Sequence, residues 1–459
     1  MKRHTKLALV LSSALLLPFL GATAATFQVQ VGSGGLRFNP ASITIQPGDT
    51  IDWVWAANGH STTSGTPGNP DGLWDSGVQN APFTFSHTFN TPGTFSYYCS
   101  PHGNCCGMVG TVTVSSGSTI VGALFVNANS NNNRVWMYNR GADGSLTFVR
   151  SFNTGGNGST GGLSSQGSVA LTADHKFLYA VNAGSNNISA FQVRPGRLTS
   201  IGNVPSGGTF PNSLDTYGNL LYVLNARGTA ANITGFTIQS NGSLVAIPNS
   251  TRPLSTALPT AAQVGFTPDG TTLVVTERGT TKIDTFTINP DGTPNGPVIQ
   301  NAAGPGPFGF AFDANGYLFV SEVTQSSASS YSISGGVITP ITAKLKDLGK
   351  AACWVACTHD PALPQQYGYV SNTNSDSISG YVIAANGSLS LVNADGRTAV
   401  LPRGAFLLDL VVSSDSKYLY VLEGKLPGIA AFAIQSDGNL TPLPGVTGTP
   451  TSSYGMTGY

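Results

Sequence analysis

The chain has 459 residues, enough for two or three domains, and only 9% of them are charged, against about 25% in an average soluble domain. Its formal net charge is zero and no basic stripe is present, which argues against nucleic acid as a partner. Glycine (57 residues) and proline (28 residues) are abundant, which is typical of a turn-rich all-β protein.

The N-terminus has the pattern of an export signal. Basic residues in the first six positions are followed by a mainly apolar stretch at 7–20 and by small residues at 22–24. No segment has the ~18 unbroken apolar residues of a membrane-spanning helix. We therefore predict that residues 1–25 are a cleavable signal peptide and that the mature protein is periplasmic or secreted, without a membrane span.

Short alternating strands are predicted along residues 26–115. Apolar and polar residues alternate at 27–31, 43–45, 51–55 and 83–87, a further strand ends at residue 99, and a last strand covers 109–114. About seven short strands of this kind predict a Greek-key β-sandwich. His87 alternates with two phenylalanines, so we interpret it as structural.

Four potential metal ligands are associated with this sandwich. Cys99 and His102 are close in sequence, Met108 follows six positions after His102, and His60 lies 39 positions before Cys99. Two imidazoles, a thiolate and a weak axial thioether form the ligand set of a blue-copper electron-transfer site. We therefore predict one type 1 copper ion held by His60, Cys99, His102 and Met108, and single-electron transfer as its function.

The same segment resembles the cupredoxins of the plastocyanin and pseudoazurin type. The resemblance is carried by Pro-Gly-Asp-Thr at 47–50, by PGTFSYYCSPHG at 92–103 and by GMVGTVTV at 107–114. It covers essentially all of residues 26–115 and implies a cupredoxin fold with the same four copper ligands. It also implies that His102 reaches the surface and passes electrons to a redox protein partner.

The loop between the last two ligands departs from the resembling family. Five residues separate His102 from Met108, where those proteins have four, and two of the five are Cys105 and Cys106. A binuclear copper centre is the nearest alternative, but it needs two bridging thiolates four positions apart. Cys99 and Cys105 are six positions apart, so the mononuclear site is favoured.

After a predicted linker at 116–118 the chain becomes repetitive. A strand ending in Asn or Glu recurs seven times, at intervals of 43 to 55 residues. We call these seven positions the landmark residues: Asn127, Asn182, Asn225, Glu277, Glu322, Asn372 and Glu423. Seven repeats with four strands each predict a seven-bladed β-propeller over residues 119–459. The first repeat lacks an inner strand, which we expect the tail at 453–457 to supply.

These repeats resemble the lactonase-like propellers, the family that includes 6-phosphogluconolactonase. Examples are Thr-Pro-Asp-Gly at 267–270 and FLYAVN at 177–182, which describe blades and not a catalytic site. The landmark glutamates, with Arg278 and Arg227 nearby, have two interpretations. They form a cluster that binds or hydrolyses an acidic lactone, or they satisfy backbone groups of the loops. We favour the second interpretation.

The remaining cysteines and one histidine have no assigned chemistry. Cys353 and Cys357 fall on one predicted inner strand, about 13 Å apart along it, which is too far for a disulfide. Cys105 and Cys106 either pair with each other or one of them bridges to the propeller. His175 occupies a turn position usually filled by glycine and is interpreted as incidental.

Three functions remain open from sequence alone. The leading hypothesis is an exported copper electron carrier whose propeller binds a partner protein or a ligand. The alternative is a lactonase-type propeller hydrolase with an accessory copper domain. A third is a surface or adhesion protein whose propeller binds ligands.

Overall fold

A computed structural model describes residues 25–115 and 118–459. The predicted signal peptide, apart from its last residue, and the first two residues of the predicted linker lie outside the described residues. The described chain divides into two compact units, residues 25–115 and residues 118–459. Among the described residues, no helix combines the length and apolar character needed to cross a bilayer.

The first unit consists of nine strands and one short helix. They are β1 (Thr26–Val31), β2 (Phe38–Asn39), β3 (Ser42–Ile45), β4 (Thr50–Trp55), β5 (Thr63–Thr66), β6 (Asn69–Asp75), β7 (Thr84–Thr88), β8 (Gly93–Tyr98), α1 (Gly103–Cys106) and β9 (Val109–Val114). One sheet has the order β2-β1-β4-β7 and the other has the order β3-β9-β8-β5-β6.

The core of this unit follows from the alternation seen in the sequence. Ile51, Trp53 and Trp55 on β4 are buried, whereas the residues between them are partly exposed. Trp53 packs against Tyr97 of the other sheet, with ring centroids 5.3 Å apart in an edge-on arrangement. Such aromatic pairs bury a large apolar area, so they hold the two sheets face to face.

The second unit contains seven sheets of four or five strands. The strands of the first three blades are β10 (Ile120–Asn127), β11 (Arg134–Gly141), β12 (Leu146–Asn153), β13 (Val169–Leu171), β14 (Phe177–Asn182), β15 (Asn187–Arg194), β16 (Arg197–Pro205), β17 (Thr209–Tyr217), β18 (Leu220–Arg227), β19 (Asn232–Ile238), β20 (Leu244–Ala246) and β21 (Arg252–Pro253).

The remaining four blades continue the pattern. Their strands are β22 (Ala261–Phe266), β23 (Thr272–Glu277), β24 (Lys282–Ile288), β25 (Pro294–Asn301), β26 (Pro307–Phe312), β27 (Leu318–Glu322), β28 (Ser327–Ser334), β29 (Val337–Lys346), β30 (Ala352–Cys357), β31 (Gln366–Asn372), β32 (Ser377–Ile383), β33 (Leu389–Leu391), β34 (Ala399–Val400), β35 (Leu407–Val412), β36 (Tyr418–Glu423), β37 (Gly428–Ile434) and β38 (Leu440–Thr447). The last strand of the structure is β39 (Met456–Gly458). The all-β prediction, with a sandwich followed by a seven-bladed propeller, is confirmed.

The ring closes as the sequence predicted, by a C-terminal strand in the first blade. β39 pairs antiparallel with β10, which gives that sheet the order β12-β11-β10-β39. Arg140 of the first blade donates to the Tyr459 carbonyl at 2.9 Å and forms an ion pair with Asp415 of the seventh blade at 3.7 Å. The first and last blades of the propeller are thus joined by strand pairing and by a buried cation.

Neighbouring blades are also linked by tyrosine hydroxyl groups at equivalent positions. Tyr179, Tyr222, Tyr369 and Tyr420 each lie three residues before a landmark residue on the second strand of a blade. Each donates a hydrogen bond of 2.6 to 3.0 Å to a glycine carbonyl in a turn of the following blade. The bond from Tyr420 reaches Gly144 of the first blade, so the same contact spans the point of closure.

Candidate metal centre

Three of the four predicted ligands converge at one end of the sandwich. The ligating atoms of His60, Cys99 and His102 all lie within 4.8 Å of one another. The Cys99 Sγ atom is 3.7 Å from Nδ1 of His60 and 3.4 Å from Nδ1 of His102. Throughout residues 25–115 and 118–459, this is the one group of three or more His, Cys, Asp or Glu side chains close enough to hold a metal ion.

His60 lies shortly after β4, and backbone hydrogen bonds pair it with the opposite loop. Its backbone exchanges two hydrogen bonds with Gln79, and its carbonyl accepts a 3.0 Å bond from the Trp55 indole. Gly32 makes room for the imidazole, because a Cβ atom there would lie 2.7 Å from Nε2 of His60. The position of His60 is therefore set by its own backbone bonds and by the close approach of Gly32, the residue that follows β1.

Cys99, His102 and Met108 lie on one loop that begins at the end of β8 and contains α1. The Cys99 carbonyl accepts bonds from the N–H groups of His102 and Gly103, and the His102 carbonyl accepts one from Met108 at 3.3 Å. The Cys99 N–H in turn donates to the Met108 carbonyl at 3.1 Å. This network holds the backbone of Met108 beside the other two ligands, and the Met108 side chain is fully buried.

The two ligand loops are tied together by a pair of serines. The Ser61 hydroxyl oxygen accepts a 2.7 Å bond from the Ser100 N–H and lies 3.0 Å from the Ser100 hydroxyl. The Ser61 N–H points at the Cys99 sulfur at 3.4 Å. Since each serine is adjacent to a ligand, these bonds fix the separation between His60 and Cys99.

The exposure of the two histidines and the lowered pKa of His60 suit a metal site that meets the surface on one side. His60 is buried and His102 is partly exposed. Burial, and secondarily the nearby His102, lower the pKa of His60, which favours the neutral imidazole that coordinates metals. Soft sulfur with two imidazoles and a buried thioether is the donor chemistry of copper, so these four residues are arranged to bind a single copper ion.

The loop cysteines, which sequence reasoning left open, are paired with each other. Cys105 and Cys106 form a disulfide within α1, whereas Cys99, Cys353 and Cys357 are free and buried. Cys353 and Cys357 both lie on β30, the inner strand of the sixth blade, as predicted. Within the part of the chain that the structure describes, this loop therefore forms no disulfide with residues 118–459.

The other two histidines singled out from sequence have packing roles. The His87 ring packs against Trp74 and Phe89, with centroids 5.0 and 4.8 Å away, in agreement with a structural role. His175 adopts a left-handed backbone conformation, with φ of 56°, and stacks on Tyr459 at 4.1 Å. The His175 ring therefore packs against the residue that follows the closing strand β39.

The landmark glutamates do not form an open acid–base cluster. Glu277 and Glu322 are fully buried. Glu277 accepts bonds from the Ser255 N–H and hydroxyl and from the Thr280 hydroxyl, and Glu322 accepts from two serine hydroxyls of the next strand. Arg278 is not paired with Glu277; its guanidinium lies over the Phe308 ring. The favoured interpretation, that these side chains satisfy backbone groups of the loops, holds for the Ser255 N–H bonded to Glu277, whereas the other bonds described here come from side-chain hydroxyls.

A repeated bond explains why the landmark positions are polar. In several blades the landmark side chain contacts the residue seven positions later on the adjacent strand: Asn182 donates to Ser189 and Asn372 donates to Ser379, both at 2.7 Å. In the fourth blade the two partners are both acids, Glu277 and Asp284. Burial, and secondarily the Glu277 charge, raise the pKa of Asp284 above its ordinary value, which favours the protonated form of this carboxyl group beside Glu277.

The propeller axis holds a cavity that the sequence did not reveal. Inner strands from around the ring enclose about 370 Å³, and Asp215, His359 and Asp409 are among the polar residues that line it. A loop of the second blade crosses the axis: the Gln166 side-chain amide exchanges two bonds, of 2.7 and 3.0 Å, with the Val355 backbone of the sixth blade. The Trp354 indole donates to the Ser165 carbonyl and anchors the same loop.

Sequence comparisons match both units. The profile described as copper binding proteins, plastocyanin/azurin family, matches residues 25–115. The profile described as lactonase, 7-bladed β-propeller, matches residues 123–252 and 258–453. The plastocyanin of Prochlorothrix hollandica is 36% identical over 115 residues, which cover 24% of this chain and 87% of that protein.

Solved structures share the propeller fold. A protein from Bacteroides fragilis assigned as a 6-phosphogluconolactonase has 20% identity and a TM-score of 0.60, over 75% of this chain and 99% of that one. The periplasmic gluconolactonase of Pseudomonas aeruginosa has 19% identity and a TM-score of 0.59, over 73% of this chain and 98% of that one. At these identities the likeness establishes the fold.

Proposed function

Because this chain belongs to the plastocyanin family over its first unit and to the seven-bladed lactonase family over its second, we propose that it is an exported single-electron carrier whose propeller binds a partner protein or a ligand. The observation that carries the proposal is the convergence of His60, Cys99 and His102 within 4.8 Å, with Met108 held beside them. Copper bound there supplies one-electron exchange between Cu(I) and Cu(II).

The residues around the site support this role by keeping its shape constant. The Ser61–Ser100 bonds, the Trp55 indole and the α1 loop fix ligands that come from two separate segments. A site that does not rearrange accepts and releases an electron with a small reorganisation cost. His102 is the partly exposed ligand, so its ring provides the shortest route from the site to a redox protein partner.

The location outside the cytoplasm is part of the proposal and rests on the pattern of residues 1–25. A basic start, an apolar stretch and small residues before the cleavage point favour secretion or transfer to the periplasm. Mass spectrometry of the mature protein from its native host tests this point. A chain beginning near residue 25 or 26 supports export, and an intact N-terminus contradicts it.

A redox titration of the full chain tests electron transfer. The copper-loaded protein should bleach with ascorbate, recover with ferricyanide and exchange one electron per chain. His87→Gln is the matched control, because His87 packs among aromatic rings of the same unit outside the ligand set. A copper complex that cannot be cycled, or one that exchanges two electrons, contradicts the proposal.

Hydrolysis of a sugar lactone is the second candidate, favoured by membership of the lactonase family. The buried and fully bonded state of Glu277 and Glu322 counts against the landmark residues as its catalytic groups. A pH-stat assay of the full chain with gluconolactone tests the activity, with Glu277→Gln and Arg278→Ala as variants. If the wild-type chain does not hydrolyse gluconolactone, this candidate is rejected and the propeller is interpreted as a binding module.

A further inference from the structure

The loop that carries three of the copper ligands contains a second pair of sulfur atoms. Cys105 and Cys106 are adjacent in sequence, bonded to each other and exposed to solvent. They occupy the last two positions of α1, and α1 fills most of the stretch between His102 and Met108. A disulfide in this position is accessible to reagents, whereas the three free cysteines are buried.

The backbone around the disulfide is connected directly to the ligands. The Cys106 N–H donates to the His102 carbonyl at 3.2 Å, and the same carbonyl accepts the Met108 N–H. Gly107 then ends α1 in the left-handed conformation, with φ of 67°, and donates to Gly103. Every residue from His102 to Met108 thus takes part in one short turn, and the Cys105–Cys106 bond restricts two of its residues.

We propose that Cys105–Cys106 is a second redox site, a disulfide that exchanges with external dithiols, and that its opening alters the geometry imposed on the copper ligands His102 and Met108. A thiolate of the dithiol attacks one of the two sulfur atoms, which breaks the Cys105–Cys106 bond and forms a mixed disulfide. The second thiol of the reagent then attacks the reagent's own sulfur in this mixed disulfide and displaces the protein cysteine bound there as a thiolate. The protein gains two electrons and two protons, and the dithiol leaves as its own disulfide.

This second site differs from the copper in the number of electrons it takes. The metal ligands support one-electron exchange, whereas the disulfide accepts two electrons together. Opening the bond returns rotational freedom to Cys105 and Cys106, so the turn that positions Met108 is held by hydrogen bonds alone. Met108 would supply the thioether ligand of a bound copper ion, and this ligand would tune the potential, so a change in this turn would alter the copper spectrum and potential.

The first test concerns the disulfide and does not require copper. The metal-free full chain is treated with dithiothreitol under native conditions, alkylated with iodoacetamide and digested for peptide mapping. We expect two added groups, on Cys105 and Cys106, and none on Cys353 or Cys357, because the last two are buried. Unlabelled Cys105 and Cys106 after dithiol treatment would overturn the proposal.

The second test concerns the coupling to the ligands. Cys105→Ser, Cys106→Ser and the double variant are loaded with Cu(II) and compared with wild type by visible absorption and electron paramagnetic resonance. We expect all three to show the same shift of the visible band and of the copper hyperfine splitting, because each lacks the bond. Asn104→Ser, an exposed neighbour in α1, is the matched control and should match wild type.

Identical spectra for wild type and the three cysteine variants would overturn the coupling. The inference rests on the proposed copper site, but the two can fail separately. If wild-type protein forms no coloured copper complex, the proposed function fails, and the alkylation experiment still reports whether the disulfide exchanges.

Discussion

Ser61 and Ser100 connect the two loops that carry the metal ligands, through a 2.7 Å bond from the Ser100 N–H to the Ser61 hydroxyl oxygen. Both are adjacent to a ligand, and Ser61 is fully buried. The bond joins positions 39 residues apart in the chain, so it ties two separate segments together at one end of the sandwich.

Ser61→Ala should therefore loosen the site without removing a ligand. The substitution removes the acceptor of the partly buried Ser100 N–H bond, and the net contribution of such a bond is about 0.5–1.5 kcal/mol. We expect faster release of copper to a chelator and a lower free energy of unfolding for the first unit. Ser86→Ala, which removes an exposed bond to Asp52, is the control and should release copper at the wild-type rate. Equal rates in both variants would contradict this role.

Gly32→Ala should displace His60. The new Cβ atom would lie 2.7 Å from the Nε2 and Cδ2 atoms of the imidazole, closer than real contacts allow. We expect copper affinity to fall by about tenfold or more, equivalent to ~1.4 kcal/mol.

Gly35→Ala provides the control for backbone strain. Gly35 also has a positive φ, of 120°, but its added Cβ atom would meet nothing within 4 Å. Both variants carry a conformational cost, and only Gly32→Ala touches a ligand. Competition titrations that give the two variants the same copper affinity would show that the contact with His60 is unimportant.

Removal of residues 450–459 should destabilise the propeller far more than loss of an exposed tail. The deletion removes β39, the hydrogen bond from Arg140 to Tyr459, and the stacking of His175 on Tyr459. We expect the melting temperature of the second unit to fall, and a synthetic peptide of the ten residues to restore part of the loss. An unchanged unfolding curve would refute closure by this strand.

The stability of the propeller should depend on the ionisation of Asp409. Its carboxylate accepts N–H bonds from Leu410 and from Met456 of the closing strand. Burial raises the pKa of Asp409 to about 7 from an ordinary value of 3.8. Between pH 3.8 and about 7 the folded protein therefore holds a proton that the unfolded chain releases. The stabilisation that this proton provides is present in full below pH 3.8 and is lost as the pH rises towards about 7.

Asp409→Asn should make that pH dependence shallower. Asparagine keeps an acceptor oxygen but has no carboxyl proton to lose. The free energy of unfolding, measured with denaturant, should therefore decline less between about pH 4 and about pH 7 than in wild type. Some decline should remain, because burial also raises the pKa of Asp215 in the same cavity, to about 6. An equally steep decline in the variant would exclude Asp409 as the source.

Much of the fold and the metal site could be predicted from sequence because their signals are local or periodic. The landmark residues recur at the ends of second strands, and Cys99, His102 and Met108 lie within ten residues of one another, which places them on one loop. Resemblance to both families was confirmed by the comparisons. The predicted closing strand was correct because the first repeat visibly lacked its inner strand.

Other features depend on contacts that leave no local trace. β5 and β6 were missed because this hairpin, rich in Gly and Pro, has no alternation of apolar residues. The Gln166 contact with Val355 joins residues 189 positions apart, so nothing near either residue predicts it. Sequence alone also did not decide whether the landmark glutamates are buried structural residues or catalytic residues, because the two kinds look alike in sequence.

The visible and electron paramagnetic resonance spectra of the copper-loaded full chain, recorded beside Cys99→Ser, test the central claim most directly. The account predicts an intense visible band from thiolate-to-copper charge transfer and one paramagnetic copper per chain in the wild type, with the band lost in Cys99→Ser. A colourless wild-type complex, or a band that survives the loss of the Cys99 sulfur, would contradict a copper site built on His60, Cys99, His102 and Met108.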